Sequence, residues 1–185
     1  MKKLIGFIFL LISFSAIADV PVWKIVPKDS SITFIATQND APILGEFKSF
    51  TGNIQFDPNQ LDASHVNIEV DMISVSTSYQ TVADTLKTAD WFDVKDFPKA
   101  VFKATSFKKM SGNSYQANGT LTIRNITLPV TLTFSLDEFS DKKAHAKGTV
   151  TLKRTAFGVG QGEWKETKEV KDDVLVSFVV AAERN

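Results

Sequence analysis

The sequence predicts a mainly β protein, folded as one antiparallel barrel of eight strands with a short helix inserted between the third and fourth strands. Three observations lead to this prediction. Apolar and polar residues alternate along most of the chain, short turn sequences separate the alternating stretches, and one stretch follows the helical period instead. Closing the sheet into a barrel removes the exposed strand edges that could pair with other chains.

Residues 1–18 have the three parts of a secretory signal peptide: two lysines, an uncharged run over residues 4–14, and an Ala-x-Ala cleavage site ending at Ala18. We expect export, cleavage after Ala18 and one mature barrel domain over residues 19–185. A membrane anchor is the alternative, but the apolar run is shorter than the roughly 20 residues that a spanning helix needs. No second apolar run approaches that length, so we expect no stable membrane insertion after cleavage.

The composition excludes several kinds of protein. The chain has no cysteine, which rules out disulfides, thiolate metal sites, cysteine nucleophiles and an acylated lipoprotein anchor. It has 21 basic and 21 acidic residues and no basic stripe, so we expect no nucleic-acid partner. Fifteen phenylalanines are a heavy aromatic load, and most of them must be buried or must line a cavity.

The eight predicted strands are recognised by the residues that share one side of each. In chain order, these inward rows are Ile32, Phe34 and Ala36; Phe50, Gly52, Ile54 and Phe56; Val66, Ile68, Val70 and Met72; Phe102, Ala104 and Ser106; Ala117, Gly119, Leu121 and Ile123; Leu128, Val130, Leu132, Phe134 and Leu136; Ala144, Ala146, Gly148, Val150 and Leu152; and the run 174–182. Turn sequences such as Asp57-Pro58-Asn59 and Ser111-Gly112-Asn113 separate them.

The stretch from Thr77 to Asp90 breaks this alternation. Its apolar residues Tyr79, Val82, Ala83 and Leu86 follow the i, i+3, i+4, i+7 spacing of a helical face. Thr77 or Ser78 is available as the N-cap. The spacing therefore predicts a helix that plugs or covers one mouth of the barrel.

The inward rows are almost wholly aliphatic and aromatic, and an interior of this size is either filled by side chains or holds one small ligand. A solid core is the ordinary interpretation. Two observations favour a cavity: no polar residue in the rows is able to orient a polar substrate, and small residues recur there, namely Ala104, Ala117, Gly119, Ala144, Ala146 and Gly148. A cavity lined in this way favours a long hydrocarbon, because each buried methylene contributes about 0.8 kcal/mol.

The sequence offers little to catalysis. The two histidines, His65 and His145, share the parity of polar neighbours and are expected to face solvent, which speaks against a metal site or a Ser-His dyad. The glycines at 158, 160 and 162 lack the following helix that a phosphate-binding loop requires, so they predict a flexible loop or bulge. We therefore expect neither catalytic nor metal-binding residues, and no enzyme.

Several motifs resemble one known family along the chain. The matching stretches are Gly45-Glu46-Phe47 with Phe50-x-Gly52-x-Ile54-x-Phe56-Asp57-Pro58; Asp84-x-Leu86-Lys87-x-x-Asp90-Trp91-Phe92-Asp93-Val94 with Phe97-Pro98-x-Ala100-x-Phe102; Gly119-x-Leu121-Thr122-Ile123-Arg124-x-Ile126 with Pro129-Val130; and Arg154-x-x-Phe157-Gly158-Val159-Gly160 with Val174-x-Val176. Together they resemble the YceI-like family of periplasmic polyisoprenoid-binding proteins, and they cover residues 23–183 in order.

The resemblance implies a lipocalin-like barrel in the periplasm that holds an extended lipid tail, with the lipid head near one mouth. The implied ligand is a polyprenyl or ubiquinone-type lipid, and no other cofactor is expected. The residues expected to line the tail are Phe34, Phe47, Phe56, Ile68, Val70, Phe102, Leu121, Ile123, Leu132, Phe134, Val150 and Phe178, with Trp91, Phe92 and Phe157 near the openings.

Other functions stay open at this point. The main alternative to a lipid carrier is a packed barrel that works through its outer surface, as a stress-related protein or as the partner of a membrane redox protein. The charged run from Glu163 to Asp173 is a candidate contact for such a partner, although a solvated loop is the simpler interpretation. An uncovered strand edge would also permit a homodimer.

Overall fold

The computed structural model describes residues 19–184, so the predicted signal peptide lies outside the described residues. Eleven strands and one α-helix account for most of this part of the chain. The elements are β1 (Val22–Ile25), β2 (Ser31–Gln38), β3 (Ala41–Phe47), β4 (Phe50–Gln55), β5 (His65–Asp71), β6 (Val75–Thr77), α1 (Gln80–Leu86), β7 (Lys99–Lys109), β8 (Ser114–Ile123), β9 (Ile126–Phe139), β10 (Lys143–Lys153) and β11 (Asp173–Arg184).

Eight of the strands close an antiparallel barrel, as the sequence predicts, although β1 stands in the ring where the prediction has β2. Around the ring the order is β1-β4-β5-β7-β8-β9-β10-β11, and β11 returns to β1 through the pairs from Trp23 with Arg184 to Ile25 with Ala182. β2 lies further along the same edge of β11, where Phe34 stands opposite Val176. β3 then pairs with β2, and β6 with β3, outside the closed ring.

Three strands escape the sequence prediction because each is short or irregular in pattern. β1 and β6 have only four and three residues, which is too few for an alternation to stand out. β3 contains Pro42 and Gly45, both of which weaken a strand signal. Gly45 is needed there, because the ring of Phe34 on the neighbouring strand occupies the space that a side chain would take.

The helix is found where it is predicted, between the strands that precede and follow residues 77–90, but it is shorter, and the short strand β6 precedes it. Neither Thr77 nor Ser78 is its N-cap. The Thr77 hydroxyl forms a local turn with the backbone of Tyr79, and Tyr79 itself occupies the cap position without a capping side chain. Ala83 is buried as the helical spacing predicts, whereas Tyr79 is 65% exposed.

One predicted inward row is wrong beyond its second residue. The register between β7 and β8 shifts between Ala104 and Ser106, so that Thr105 forms a β-bulge. A bulge inserts one extra residue and exchanges the two faces of the strand beyond it. Ser106 therefore lies on the exposed face, and Phe107 is buried in its place at 9% exposure.

Aromatic side chains pack across one end of the barrel. The Phe56 ring contacts Phe107, Tyr115 and Phe134 at centroid distances of 5.4, 5.8 and 5.9 Å. Phe56 directly follows β4, and β4 and β9 are four strands apart in the ring, so the contact from Phe56 to Phe134 spans the interior. Trp23 completes this closed end by donating its indole N–H to the Phe56 carbonyl at 2.9 Å.

Candidate functional site

The barrel encloses a cavity of about 310 Å³, which lies at the lower end of the range of roughly 300–1,000 Å³ typical of small-molecule sites. Every side chain in its wall is apolar except Arg154. All fifteen residues predicted from the sequence lie in this wall, namely Phe34, Phe47, Phe56, Ile68, Val70, Trp91, Phe92, Phe102, Leu121, Ile123, Leu132, Phe134, Val150, Phe157 and Phe178. Their contact with a ligand stays a prediction.

The small residues on the inward rows explain this space only in part. Ala117, Ala144 and Ala146 line the cavity, in agreement with the argument from the sequence. Gly119 has a different role, because a side chain there would collide with the backbone of Lys103 on β7. Gly148 leaves room for the ring of Phe178 on β11. Glycines in these rows therefore allow neighbouring groups to approach closely instead of widening the cavity.

The end opposite Trp23 is covered by segments that lie outside the barrel strands. α1 contributes Leu86, the segment after it contributes Trp91 and Phe92, and the loop between β10 and β11 contributes Phe157 and Val170. Phe92 contacts Phe47 of β3 at a ring distance of 5.8 Å. We call this end the mouth. The end at Trp23 is thus closed by ring strands and by the connection that carries Phe56, and the mouth by α1 and two connections.

A second, smaller cavity of about 170 Å³ lies at the mouth between α1 and strands β2 and β3. Thr81, Val82 and Thr85 of α1 line one side of it, and Ile43 of β3 lies in its wall. Five residues are shared with the wall of the barrel cavity: Phe34, Ala36, Leu86, Trp91 and Val170. The two spaces therefore adjoin each other below α1.

Arg154 is the polar residue of the cavity wall that the sequence prediction missed. It follows β10 and continues the inward row of Val150 and Leu152, so a charged residue at this parity was the available signal. It is only 4% exposed. The guanidinium donates to four backbone carbonyls, those of Val159, Glu166, Val170 and Lys171, at 2.8 to 3.1 Å.

These hydrogen bonds give Arg154 a structural role in the loop between β10 and β11. Burial lowers the pKa of Arg154 from its usual value, and the charge of Asp172 partly opposes this effect. Asp172 in turn accepts hydrogen bonds from the backbone N–H and the hydroxyl of Thr155 at 3.0 and 2.8 Å. The loop that carries Gly158 and Gly160, which the sequence predicts to be a flexible loop or bulge, is thus tied to Arg154 and Asp172 by specific hydrogen bonds.

Trp91 is fixed at the mouth by groups from three directions. Arg124, in the turn between β8 and β9, donates to the carbonyls of Ala89 and Trp91, and its guanidinium lies 3.7 Å from the Asp93 carboxylate. The Arg154 guanidinium lies 5.7 Å from the centre of the Trp91 ring, within the range of a cation–π contact. On another side, the Trp164 ring packs at 5.6 Å.

The arrangement offers no catalytic geometry at the cavity. Neither histidine lines it. His145 lies on the barrel surface 3.7 Å from the Asp137 carboxylate, to which Lys147 also bonds at 2.8 Å. Within residues 19–184, no three His, Cys, Asp or Glu side chains come together as a metal site would require. The same part of the chain contains no helix with the length and hydropathy of a membrane span.

Residues 23–182 match the family model of the YceI-like domain. The chain belongs to the YceI-like family. Relatives include the protein YceI of Salmonella agona and that of Escherichia coli O17:K52:H18, each 31% identical over 163 residues, which are 82% of this chain and 85% of the relative. The resemblance inferred from the motifs is therefore confirmed.

Solved structures share the fold of this YceI-like chain. BcnA of Burkholderia cenocepacia superposes with a TM-score of 0.81 at 29% identity, covering 85% of this chain and 98% of BcnA. A polyisoprenoid-binding domain of Saccharophagus degradans, implicated in plant cell wall breakdown, superposes with a TM-score of 0.69 over 89% of this chain and 99% of the domain. The latter is only 11% identical, so it shows a common fold alone.

Proposed function

We propose that this YceI-like protein is a periplasmic carrier that holds the long apolar tail of an isoprenoid or quinone-type lipid without reacting with it. The observation that carries the proposal is the barrel cavity, whose wall is apolar throughout except for Arg154. Such a wall can bind a hydrocarbon through burial alone, and it presents no pair of groups able to move a proton or attack a bond. The isoprenoid class is taken by analogy from the Saccharophagus degradans domain, which shares the fold.

The mouth supplies the route by which a lipid tail reaches the cavity. Strands and packed rings cover the opposite end, whereas α1 and two connections cover the mouth, and the second cavity adjoins the barrel cavity there. Separating α1 from β2 and β3 requires fewer hydrogen bonds to break than opening a ladder between strands. We therefore propose that the tail enters under α1, with the lipid head left at the mouth.

The deciding experiment is mass spectrometry of an organic-solvent extract of the mature protein, purified from periplasm without detergent. A prenyl lipid or quinone in a stoichiometric amount supports the carrier and identifies its ligand. If the extract contains no lipid, even after the protein has been incubated with membrane lipids, the proposal is wrong and a barrel that acts through its surface takes its place. The intact mass of the same protein tests cleavage after Ala18. Its size in solution tests whether it forms a homodimer.

A further inference from the structure

The indole N–H of Trp91 is a buried donor that finds no acceptor among the atoms of residues 19–184. Trp91 is 7% exposed. Buried donors are paired in most proteins, because leaving one unpaired costs the free energy of removing it from water. The indole N–H of Trp23, at the closed end of the same barrel, follows that rule with its bond to the Phe56 carbonyl.

Trp91 belongs to the part of the wall that the two cavities share, although its indole nitrogen is covered by other atoms. The Arg154 guanidinium lies over the Trp91 ring, and Arg124 binds the backbone carbonyl of the same residue. The donor is therefore held in one orientation before any ligand arrives, which lowers the entropic cost of a hydrogen bond to that ligand.

The charge near Trp91 defines the chemistry that would suit this donor. Arg154 is buried beside the ring, and no carboxylate of the described residues lies within 4.0 Å of its guanidinium. Its hydrogen-bond partners are carbonyl oxygens, which carry partial charges only, and the carboxylate of Asp172 acts on it from a longer distance. A positive charge without a direct counter-ion favours a ligand atom that carries negative charge, and an N–H donor favours an oxygen.

We infer that the indole N–H of Trp91 donates a hydrogen bond to an oxygen of the lipid head that the proposed function leaves at the mouth, either a carbonyl or a phosphate oxygen. The nitrogen is shielded from solvent, so the oxygen reaches it by displacing a neighbouring side chain. Trp164, which is only partly buried and lies in the wall of the second cavity, is such a neighbour. The inference rests on the proposed function, because it presupposes a lipid tail in the barrel.

The test compares three ligands that share one 16-carbon chain: the plain hydrocarbon, its methyl ketone and its monophosphate. Their dissociation constants are measured by displacement of a fluorescent apolar dye from the mature protein after lipid extraction. For each polar ligand, the quantity of interest is its affinity relative to the hydrocarbon. We expect Trp91→Phe to lower this relative affinity about three- to tenfold, which corresponds to the loss of one hydrogen bond.

Trp23→Phe is the matched control, because it removes an indole N–H that is already paired at the opposite end. It should change the affinities for all three ligands in equal proportion and leave the relative affinity as it was. A second measurement uses the wild-type protein only. In a ¹H–¹⁵N correlation spectrum, the cross-peak of the Trp91 indole N–H should shift when the ketone or the phosphate binds. It should stay in place when the hydrocarbon binds.

The outcomes separate this inference from the proposed function. If none of the three ligands displaces the dye, the carrier itself is wrong. If all three bind, but Trp91→Phe leaves the relative affinities unchanged and the indole resonance does not respond to the head, then the carrier stands and the head-group site is overturned. A response to the ketone, to the phosphate or to both supports the site and shows which oxygen it accepts.

Discussion

At the scale of single residues, Arg154 joins the wall of the cavity to the loop that covers it. A planar guanidinium can bind several carbonyls at fixed angles, and here it binds four that belong to residues 159–171. The side chain thereby gathers 13 residues of irregular chain around one cation. Arg154 lies beside the apolar cavity because the loop that it binds packs against the end of the barrel and forms part of the mouth.

Replacing Arg154 by lysine should show that geometry matters here as well as charge. Lys has one ammonium group, which cannot reach four carbonyls at once, so several of them lose their partner. We expect Arg154→Lys to lower the free energy of unfolding by about 2–3 kcal/mol, measured by urea denaturation. Lys153→Arg, at an exposed neighbouring position, is the control and should change it by less than about 0.5 kcal/mol. Equal stability of Arg154→Lys and the wild type would contradict this role.

At the scale of elements, the long regular strands are the part that sequence reasoning predicts well. β8, β9 and β10 alternate over ten or more residues, and burial of one face fixes their register. The bulge at Thr105 cannot be recognised in the sequence, because it depends on how β7 pairs with β8. For this reason Phe107 is absent from the predicted inward row of β7. The mouth was hardest to predict, since Trp91 acquires its surroundings from chain segments far apart in sequence, and Arg154 binds an irregular loop that has no periodic pattern.

The segment between α1 and β7 is anchored to the barrel by Arg124. This side chain reaches from the turn after β8 to two carbonyls of residues 89–91 and to Asp93. We expect Arg124→Ala to speed hydrogen exchange of the Trp91 and Phe92 amides by about tenfold or more, because a local opening becomes easier by roughly 1.4 kcal/mol or more. In Arg124→Ala, hydrogen exchange of the β8 amides should stay unchanged. In the control Lys103→Ala, exchange of the Trp91 and Phe92 amides should stay unchanged as well. An unaltered rate at Trp91 would show that other contacts hold this segment.

The loop between β10 and β11 should weaken in acid through Asp172. Burial raises the pKa of this carboxyl, but the hydrogen bonds from Thr155 and the charges of Lys153 and Arg154 outweigh burial and hold the pKa below its usual value. A lowered pKa in the folded state contributes stability above the unfolded pKa of about 3.9, and this contribution is lost as the pH falls through the folded value.

Asp172→Asn keeps the acceptor oxygen for Thr155 and removes the charge. Between pH 6 and pH 3, we therefore expect the urea midpoint of this variant to fall less than that of the wild type. Asp141→Asn, at an exposed turn between β9 and β10, is the control and should follow the wild-type curve. Parallel curves for Asp172→Asn and the wild type would exclude Asp172 as a source of the acid sensitivity.

At the scale of the whole molecule, the fold divides its aromatic side chains between the two ends. The Phe56 cluster is built from residues in or next to the ring strands, whereas the cluster around Trp91 is built mainly from α1 and connections. The cavity lies between the two clusters. The hydrogen bonds between strands maintain the fold of such a barrel. A larger side chain in the cavity should therefore reduce the amount of bound lipid and leave the stability of the fold nearly unchanged.

Ala146→Phe tests this separation of fold and contents. Ala146 lines the cavity, and a ring at this position takes space that two to three methylenes of a lipid tail would occupy. Losing their burial, at about 0.8 kcal/mol each, weakens binding by roughly 2 kcal/mol, a factor of about thirty. The lipid-to-protein ratio in solvent extracts should fall accordingly, while the thermal midpoint stays within a few degrees. Thr149→Phe places the same ring on the outer face of β10 and should leave the ratio unchanged; if both variants carry as much lipid as the wild type, the tail does not occupy this cavity.

The packing of Phe56 against Phe134 across the interior has a consequence for the proposed transfer of lipid between membranes. A lipid carrier whose opposite end is closed would load and release its ligand through the mouth alone, so donor and acceptor membranes would compete for the mouth. If the proposed function holds, lipid transfer is a shuttle, in which a loaded molecule leaves one membrane before it meets the next. At a fixed donor concentration, the transfer rate should then pass through a maximum as the acceptor concentration rises, because excess acceptor occupies the mouth of the emptied carrier, whereas a conduit open at both ends would reach a plateau.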